Sequence, residues 1–172
     1  SAFLSPAFNK RDDRFGGSLV NRARFARQVM RAVRVAAGNR VAVTAKLNMV
    51  DGVPGGLRIE DSLQVAQWLA EDGTADALEL TGGSSLANPM FLFKGGTPVK
   101  EFGETLPWFL RPGFRLVGSK FLRSYPYEEA YFREMAEQFR DSVDLPIILL
   151  GGISELATAE AAGIRCVLGH GF

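Results

Sequence analysis

The sequence predicts a parallel α/β fold, and three observations carry that prediction. Helical and extended patterns alternate in the order αβαβαβαβ, as in strands joined by helical crossovers. Residues 146–150 are an unbroken apolar run, as expected of a strand buried on both faces. Two strands end in glycine pairs, Gly82-Gly83 and Gly151-Gly152, at the carboxyl ends where parallel α/β folds place ligands. Two architectures fit four strands: an open doubly wound sheet, or part of a (βα)8 barrel, which in full takes about 250 residues.

The elements follow in order. A first helix is capped by Ser18 or Asn21 and ended by Gly38. Its expected core stripe is Phe25, Val29, Ala32, Val33 and Ala36, with Arg22, Arg24, Arg27, Arg31 and Arg34 mostly between those positions. Residues 40–47 alternate Val41, Val43, Ala45 and Leu47 with Ala42, Thr44 and Lys46, which is a strand. A glycine-containing loop, 51–56, leads to a helix at 60–72 with Leu63, Ala66, Leu69 and Ala70 inward, stopped by Gly73. Residues 75–80 form a short strand. Residues 84–124 show no clear periodicity and carry turn residues, which in a compact domain marks a functional loop or an insertion. A helix at about 126–143 repeats Tyr131, Met135, Phe139 and Val143 four apart. The strand at 146–150, a short helix at about 155–162 and a strand at 164–168 close the chain.

Composition narrows the function classes. The 172 residues suit one domain, and 47% hydrophobic with 23% charged residues excludes disorder. No apolar run is long enough for a bilayer span, and no secretory signal is visible. A single cysteine, Cys166, excludes an internal disulfide or a cysteine metal cluster, and the single histidine, His170, leaves little for zinc or Ser-His-Asp chemistry. A reducing, cytoplasmic setting is expected. The chain begins with Ser1 rather than methionine, which reads as processing or truncation.

Charge is uneven. Residues 1–40 hold nine Lys or Arg and two Asp, and the whole chain has a formal net charge of +1. A basic segment raises nucleic-acid binding. A solvated helix face is the plainer account, and it is favoured.

The candidate chemistry sits at strand ends. Glycine there admits a phosphate to backbone N–H groups, although it is also ordinary turn chemistry. Leu168-Gly169-His170-Gly171 offers a second possible cradle on the neighbouring strand. Lys46 lies opposite Val43, Ala45 and Leu47. It is either a lysine reaching to solvent or a cation aimed into a barrel mouth at an anionic or electron-accepting group. If buried, it needs a partner.

Phe3-Leu4-Ser5-Pro6, the run from Asn9 through Phe15-Gly16-Gly17-Ser18, and Asn21-Arg22-Ala23-Arg24-Phe25 resemble the old yellow enzyme family of FMN-dependent ene-reductases and NAD(P)H:flavin oxidoreductases. The likeness continues through Lys46-Leu47-Asn48, Gly55-Gly56, Glu60-Asp61-Ser62, Gly82-Gly83, Glu129-Ala130-Tyr131-Phe132 and 146–152, to about Ile153. It implies the C-terminal half of a (βα)8 TIM barrel, strands five to eight with their helices, as one domain over 1–172. In that reading 84–124 is a loop insertion after strand six and 154–172 a poorly matching tail. Lys46 would then contact the flavin at its N1/O2 edge, where a cation stabilises developing negative charge. Gly151, Gly152 and Gly169 would hold the FMN phosphate, and His170 stands where the family has arginine.

The resemblance also implies what is missing. Strands one to four carry the family's substrate-polarising His/Asn or His/His pair and its proton-donating tyrosine, so no catalytic proton donor is assigned here. No cysteine cluster for an iron–sulfur centre is present. The aromatics of 84–124, among them Phe91, Phe102, Trp108, Phe109 and Phe114, form either a wall of the substrate site or a small core of their own, the second being slightly favoured. Arg11 and Asp12 are read as a loop ion pair. The expected function is part of an FMN-dependent oxidoreductase passing hydride from NAD(P)H through flavin to an activated alkene or related small-molecule acceptor. The alternative is an inactive half-barrel acting through association, with a missing N-terminal half or as a homo-oligomer. A membrane role is not expected, and a basic-patch binding module ranks third.

Overall fold

The computed structural model describes residues 2–85, 87–96, 99–121, 123–162 and 165–167. It holds a four-stranded parallel sheet with strands in chain order: β1 (Thr44–Asn48), β2 (Ala77–Thr81), β3 (Ile147–Leu150) and β4 (Arg165–Val167). Helix α1 (Leu19–Ala37) precedes β1, and α2 (Ile59–Glu71) joins β1 to β2. The β2-to-β3 crossover carries α3 (Pro89–Phe93), α4 (Val99–Thr105), α5 (Arg111–Phe121) and α6 (Arg133–Ser142). Helix α7 (Leu156–Ala161) joins β3 to β4. Among the described residues no helix is long and apolar enough to cross a membrane.

The expected αβ alternation is present, with differences. Residues 84–124 hold three helices where no periodicity predicts any. Helices α4 and α5 pack on each other, with the Phe102 and Phe114 rings 5.3 Å apart. That pairing stays partly open, with Phe102 42% accessible, and Trp108, Phe109 and Leu116 are exposed beside it. Residues 126–132, expected to begin a helix, lie ahead of α6. Ala130 there has φ +55, outside the helical region. Residues 40–43 lie outside β1. The strand expected at 164–168 is described only over Arg165–Val167; Ile164, Leu168, Gly169 and His170 lie outside the described residues.

One sheet face is packed and the other is half open. Leu47, Leu78, Leu80, Ile147 and Leu149 are buried with Val65, Ala66 and Leu69 of α2 and Phe132, Ala136 and Phe139 beside or on α6. The alternate residues Lys46, Glu79, Thr81, Ile148 and Leu150 stay partly or wholly exposed. A parallel sheet is ordinarily covered on both faces, so this side stands out. The carboxyl ends of β1 and β2 are tied by amide bonds from Met49 to Thr81 O (2.7 Å) and from Gly83 to Val50 O (2.6 Å). The loop after β1 closes on buried Asp51, which accepts from Asn48 Nδ2 and the Leu57 amide, each at 2.7 Å.

The N-terminal loop explains two motif residues. Asn9 Nδ2 donates to Phe3 O and Phe15 O, each at 2.7 Å, and so ties the loop's ends. A Cβ on Gly16 would lie 1.9 Å from Arg11 O, so only glycine lets those segments approach. Arg11 pairs with Asp13 rather than Asp12. Asp13 also accepts the Phe15 amide, a turn geometry that the neighbouring aspartate does not share.

Helix α1 corrects the sequence reading most. Ser18 caps it by accepting from the Asn21 amide, and Gly38 (φ +56) ends it, as expected. Its expected apolar stripe is exposed, however: Phe25 is 43% and Val29 and Val33 each 42% accessible. Its arginines face the rest of the chain instead. Arg22 meets Asp61 (2.9 Å), Arg27 grips Asp72 through two bonds (2.7 and 2.8 Å), Arg31 adds a third (2.8 Å), and Arg34 reaches Asp76 (2.7 Å). The carboxylates lie 39 to 45 residues away for the first three, so helical periodicity cannot reveal them. The Arg27 guanidinium also lies 5.3 Å from the Trp68 ring centroid.

This mating predicts a pH response. The bonds from Arg27, and then Arg31, hold the Asp72 carboxyl at about 2, below its ordinary 3.8. A carboxyl depressed in the folded state stabilises fully above its unfolded value and loses that contribution as pH falls through the folded one. Stability is therefore expected to decline from about pH 3.8 toward about 2, and Asp72→Asn should flatten that part of the profile. Denaturant midpoints measured across that range are the check. An unchanged slope in the variant would show that Asp72 is not the group responsible.

Candidate functional site

The half-open sheet face and the loops at its carboxyl edge enclose an open concavity of ≈ 2370 Å³. Lys46, Thr81, Lys94, Tyr127, Tyr131 and Gly151 line its chemical side, and Phe3, Phe25 and Val29 continue it along α1. Parallel α/β folds place their ligands at this edge.

Lys46 projects from β1 on the face that strand alternation predicts, with its side chain 54% exposed. Glu79 is its direct cross-strand neighbour, and Lys46 Nζ lies 3.1 Å from Glu79 Oε1. The partner that a buried lysine requires is therefore present, although Lys46 itself is open to solvent. Lys46 reaches solvent, and it does so along the lining of the concavity. Glu79 escapes a motif reading. Its signal is a lone charge within Ala77-Leu78-Glu79-Leu80-Thr81.

Gly151 and Gly152 also line the concavity, at the end of β3. Aromatic packing accounts for their missing side chains. A Cβ on Gly151 would lie 2.9 Å from the Phe132 ring, and one on Gly152, which has φ +67, would lie 2.2 Å from Tyr131. The rings come from the segment before α6, and Ala130 N donates to Gly152 O to hold that segment against the loop. The pair thus has a structural reason independent of phosphate, while its loop still borders the concavity. Gly169 and His170 lie outside the described residues.

The rim carries two tyrosines. Tyr127 OH donates to Glu129 Oε2 at 2.6 Å, and Glu129 also accepts from the Ser154 amide and hydroxyl and the Glu155 amide. The Tyr127 hydroxyl and those donors draw the Glu129 carboxyl down to about 2. The same contact, chiefly the hydrogen bond to Glu129, pushes the Tyr127 phenol upward, so it stays protonated and able to donate. Tyr131 OH donates to Leu92 O at 2.6 Å, and burial raises its titration. Neither tyrosine's position follows from spacing, because the turns of 84–132 deliver both. Among the described residues no cluster of His, Cys, Asp or Glu could hold a metal ion.

For FMN, the fit rests on the size of the concavity, an exposed ammonium on its floor and a glycine-bearing loop at its edge. These features leave room and one positive charge for a ligand of that size. Among the described residues, the sheet face that carries Lys46 stays half open.

The model of the NADH:flavin oxidoreductase / NADH oxidase family matches residues 1–84. The chain is 51% identical over 162 residues to a 4,4'-dithiodibutanoate disulfide reductase of Rhodococcus erythropolis, covering 94% of this chain and 40% of that protein. It is 27% identical over 158 residues to an NADH oxidase of Thermoanaerobacter brockii, covering 92% of this chain and 20% of that one. The chain therefore spans less than half the length of these relatives. Among solved structures, a 2-naphthoyl-CoA reductase complex superposes with a TM-score of 0.68 at 21% identity, over 97% of this chain and 22% of that chain. The old yellow enzyme homologue of Zymomonas mobilis gives 0.53 at 18% identity, over 94% and 35%. These structural likenesses show a shared α/β fold.

Proposed function

We propose that the chain, whose residues 1–84 match the NADH:flavin oxidoreductase / NADH oxidase family model, supplies strands five to eight of an FMN-binding (βα)8 barrel, β1 to β4 in that order. The observation that carries this reading is the half-open sheet face, with Lys46 on its floor and the Gly151-Gly152 loop at its rim. Bound FMN would supply a two-electron carrier, taking hydride from NAD(P)H and passing it, with a proton from the site, to an activated alkene or related acceptor, organic disulfides included. Lys46 would hold positive charge toward the N1/O2 edge, steadied by Glu79. Gly151 and Gly152 would offer backbone to the phosphate, with Gly169 and His170 proposed to complete that end.

Specific observations favour association with further chain. The outer edge of β1 is unpaired among the described strands, and the exposed Phe25, Val29 and Val33 line α1. Strands one to four of a barrel, from a longer chain or a partner, would cover both. If no competent half exists, the chain is an inactive half-barrel acting through association alone.

Flavin titration tests this reading. The isolated 172-residue chain is expected to bind FMN weakly and to show no NAD(P)H-dependent reduction of cyclohexenone. Co-expression with the N-terminal half of a family relative should restore both the absorbance near 450 nm and the activity. In the restored assembly Lys46→Ala should slow flavin reduction about tenfold, and an unchanged rate would remove Lys46 from the site. A yellow isolated chain with stoichiometric FMN would overturn the dependence on absent strands.

A further inference from the structure

We propose that Lys94 is a binding residue for a carboxylate on the acceptor, placed in the concavity by an aromatic cage. This rests on the flavin-oxidoreductase reading for where the acceptor sits, and it assigns a role to a residue that no motif marks.

The surroundings of Lys94 are unusual for a loop lysine. Its Nζ lies 4.9 Å from the Tyr131 ring centroid and 5.9 Å from those of Phe91 and Phe132. Aromatic faces attract an ammonium through their quadrupoles, but they are poor substitutes for oxygen acceptors, and Lys carries three N–H donors. Among the described residues Lys94 Nζ has no carboxylate partner, whereas Lys46 is paired with Glu79. An ammonium lining a cavity with donors unmet by oxygen suits an anionic oxygen group of a ligand.

The position is also built. Lys94 has φ +36, a conformation that side-chain-bearing residues rarely adopt. Such strain persists where neighbours over-determine it and clusters at ligand sites. Here the Lys94 amide donates to Met90 O (2.9 Å) and the Gly95 amide to Tyr125 O (2.8 Å). Tyr131 OH holds Leu92 O (2.6 Å), and Asn88 Nδ2 reaches Gly52 O (2.8 Å) and Tyr125 OH (2.7 Å). Four bonds from Gly52, Tyr125 and Tyr131 to the 88–96 segment therefore hold the backbone that carries the ammonium before any ligand arrives.

Carboxylate and phosphate share the chemistry of an anionic oxygen. One ammonium among three apolar ring faces matches a carboxylate on a short apolar chain better than a phosphate dianion, which draws several donors. The test is calorimetric titration of the full chain, at constant ionic strength, with 4,4'-dithiodibutanoate, its dimethyl ester and inorganic phosphate. The dianion should bind about tenfold more tightly than the ester, the worth of one charge-assisted hydrogen bond. Lys94→Met should abolish that preference without weakening ester binding, and Lys94→Arg should retain it. Equal affinities for dianion and ester, a preference that survives Lys94→Met, tighter binding of phosphate than of the dianion, or no dianion binding at all would each overturn the assignment. FMN retained in the co-expressed assembly without a carboxylate preference overturns this inference alone. Carboxylate recognition by a co-expressed assembly that retains no FMN overturns the flavin reading alone.

Discussion

Phe132→Ala is expected to remove about 3–5 kcal/mol of stability. Phe132 is fully buried and lies where four parts of the chain meet. Its ring stands 2.6 Å from where a Cβ of Gly82 would be and 2.9 Å from that of Gly151, so it fills the space vacated by glycines ending two neighbouring strands. It also meets Tyr131 edge-on at 4.6 Å between centroids and Phe91 at 6.0 Å. The glycine neighbours have no side chains to swing into the cavity, so collapse would be poor and the loss should fall toward the upper end. Urea unfolding followed by ellipticity measures it, and Phe132→Leu should cost less. A loss below about 1 kcal/mol would show that the ring is not the keystone of the strand ends.

Gly152→Ala is expected to destabilise by about 2–4 kcal/mol through two separable effects. Alanine must adopt φ +67, and its methyl must occupy space 2.2 Å from Tyr131 Cε1. Tyr131→Ala removes the second effect only. In that background Gly152→Ala should cost about 1 kcal/mol, the backbone share alone. Equal costs in both backgrounds would mean that ring and glycine do not compete for space. Loss of flavin affinity on substituting this glycine therefore needs the Tyr131→Ala background before it can be attributed to phosphate.

The parts of the fold that are legible in the sequence are those with local causes. Ser18 and Gly38 bound α1 because capping acts within a turn, and α2 matches its expected span to within a residue because its apolar spacing is its own. The orientation of α1 is illegible. Its valines and Phe25 form the better stripe, but Asp61, Asp72 and Asp76 decide which face turns inward. Helices α4 and α5 stay hidden because Gly103, Pro112 and Gly113 interrupt their patterns. At the concavity, the face that Lys46 occupies is legible by alternation. Glu79 becomes its partner only through strand register, and Lys94 only through a loop fixed at both flanks by distant residues.

Spatial order in the sheet repeats chain order, β1 to β4, with each strand beside its predecessor. During synthesis each new strand finds its neighbour already made, so the sheet can grow vectorially, one crossover at a time, without waiting for a distant segment. The same arrangement makes the βα unit a natural module of exchange. A gene cut or joined between units leaves every strand pairing on either side of the junction intact.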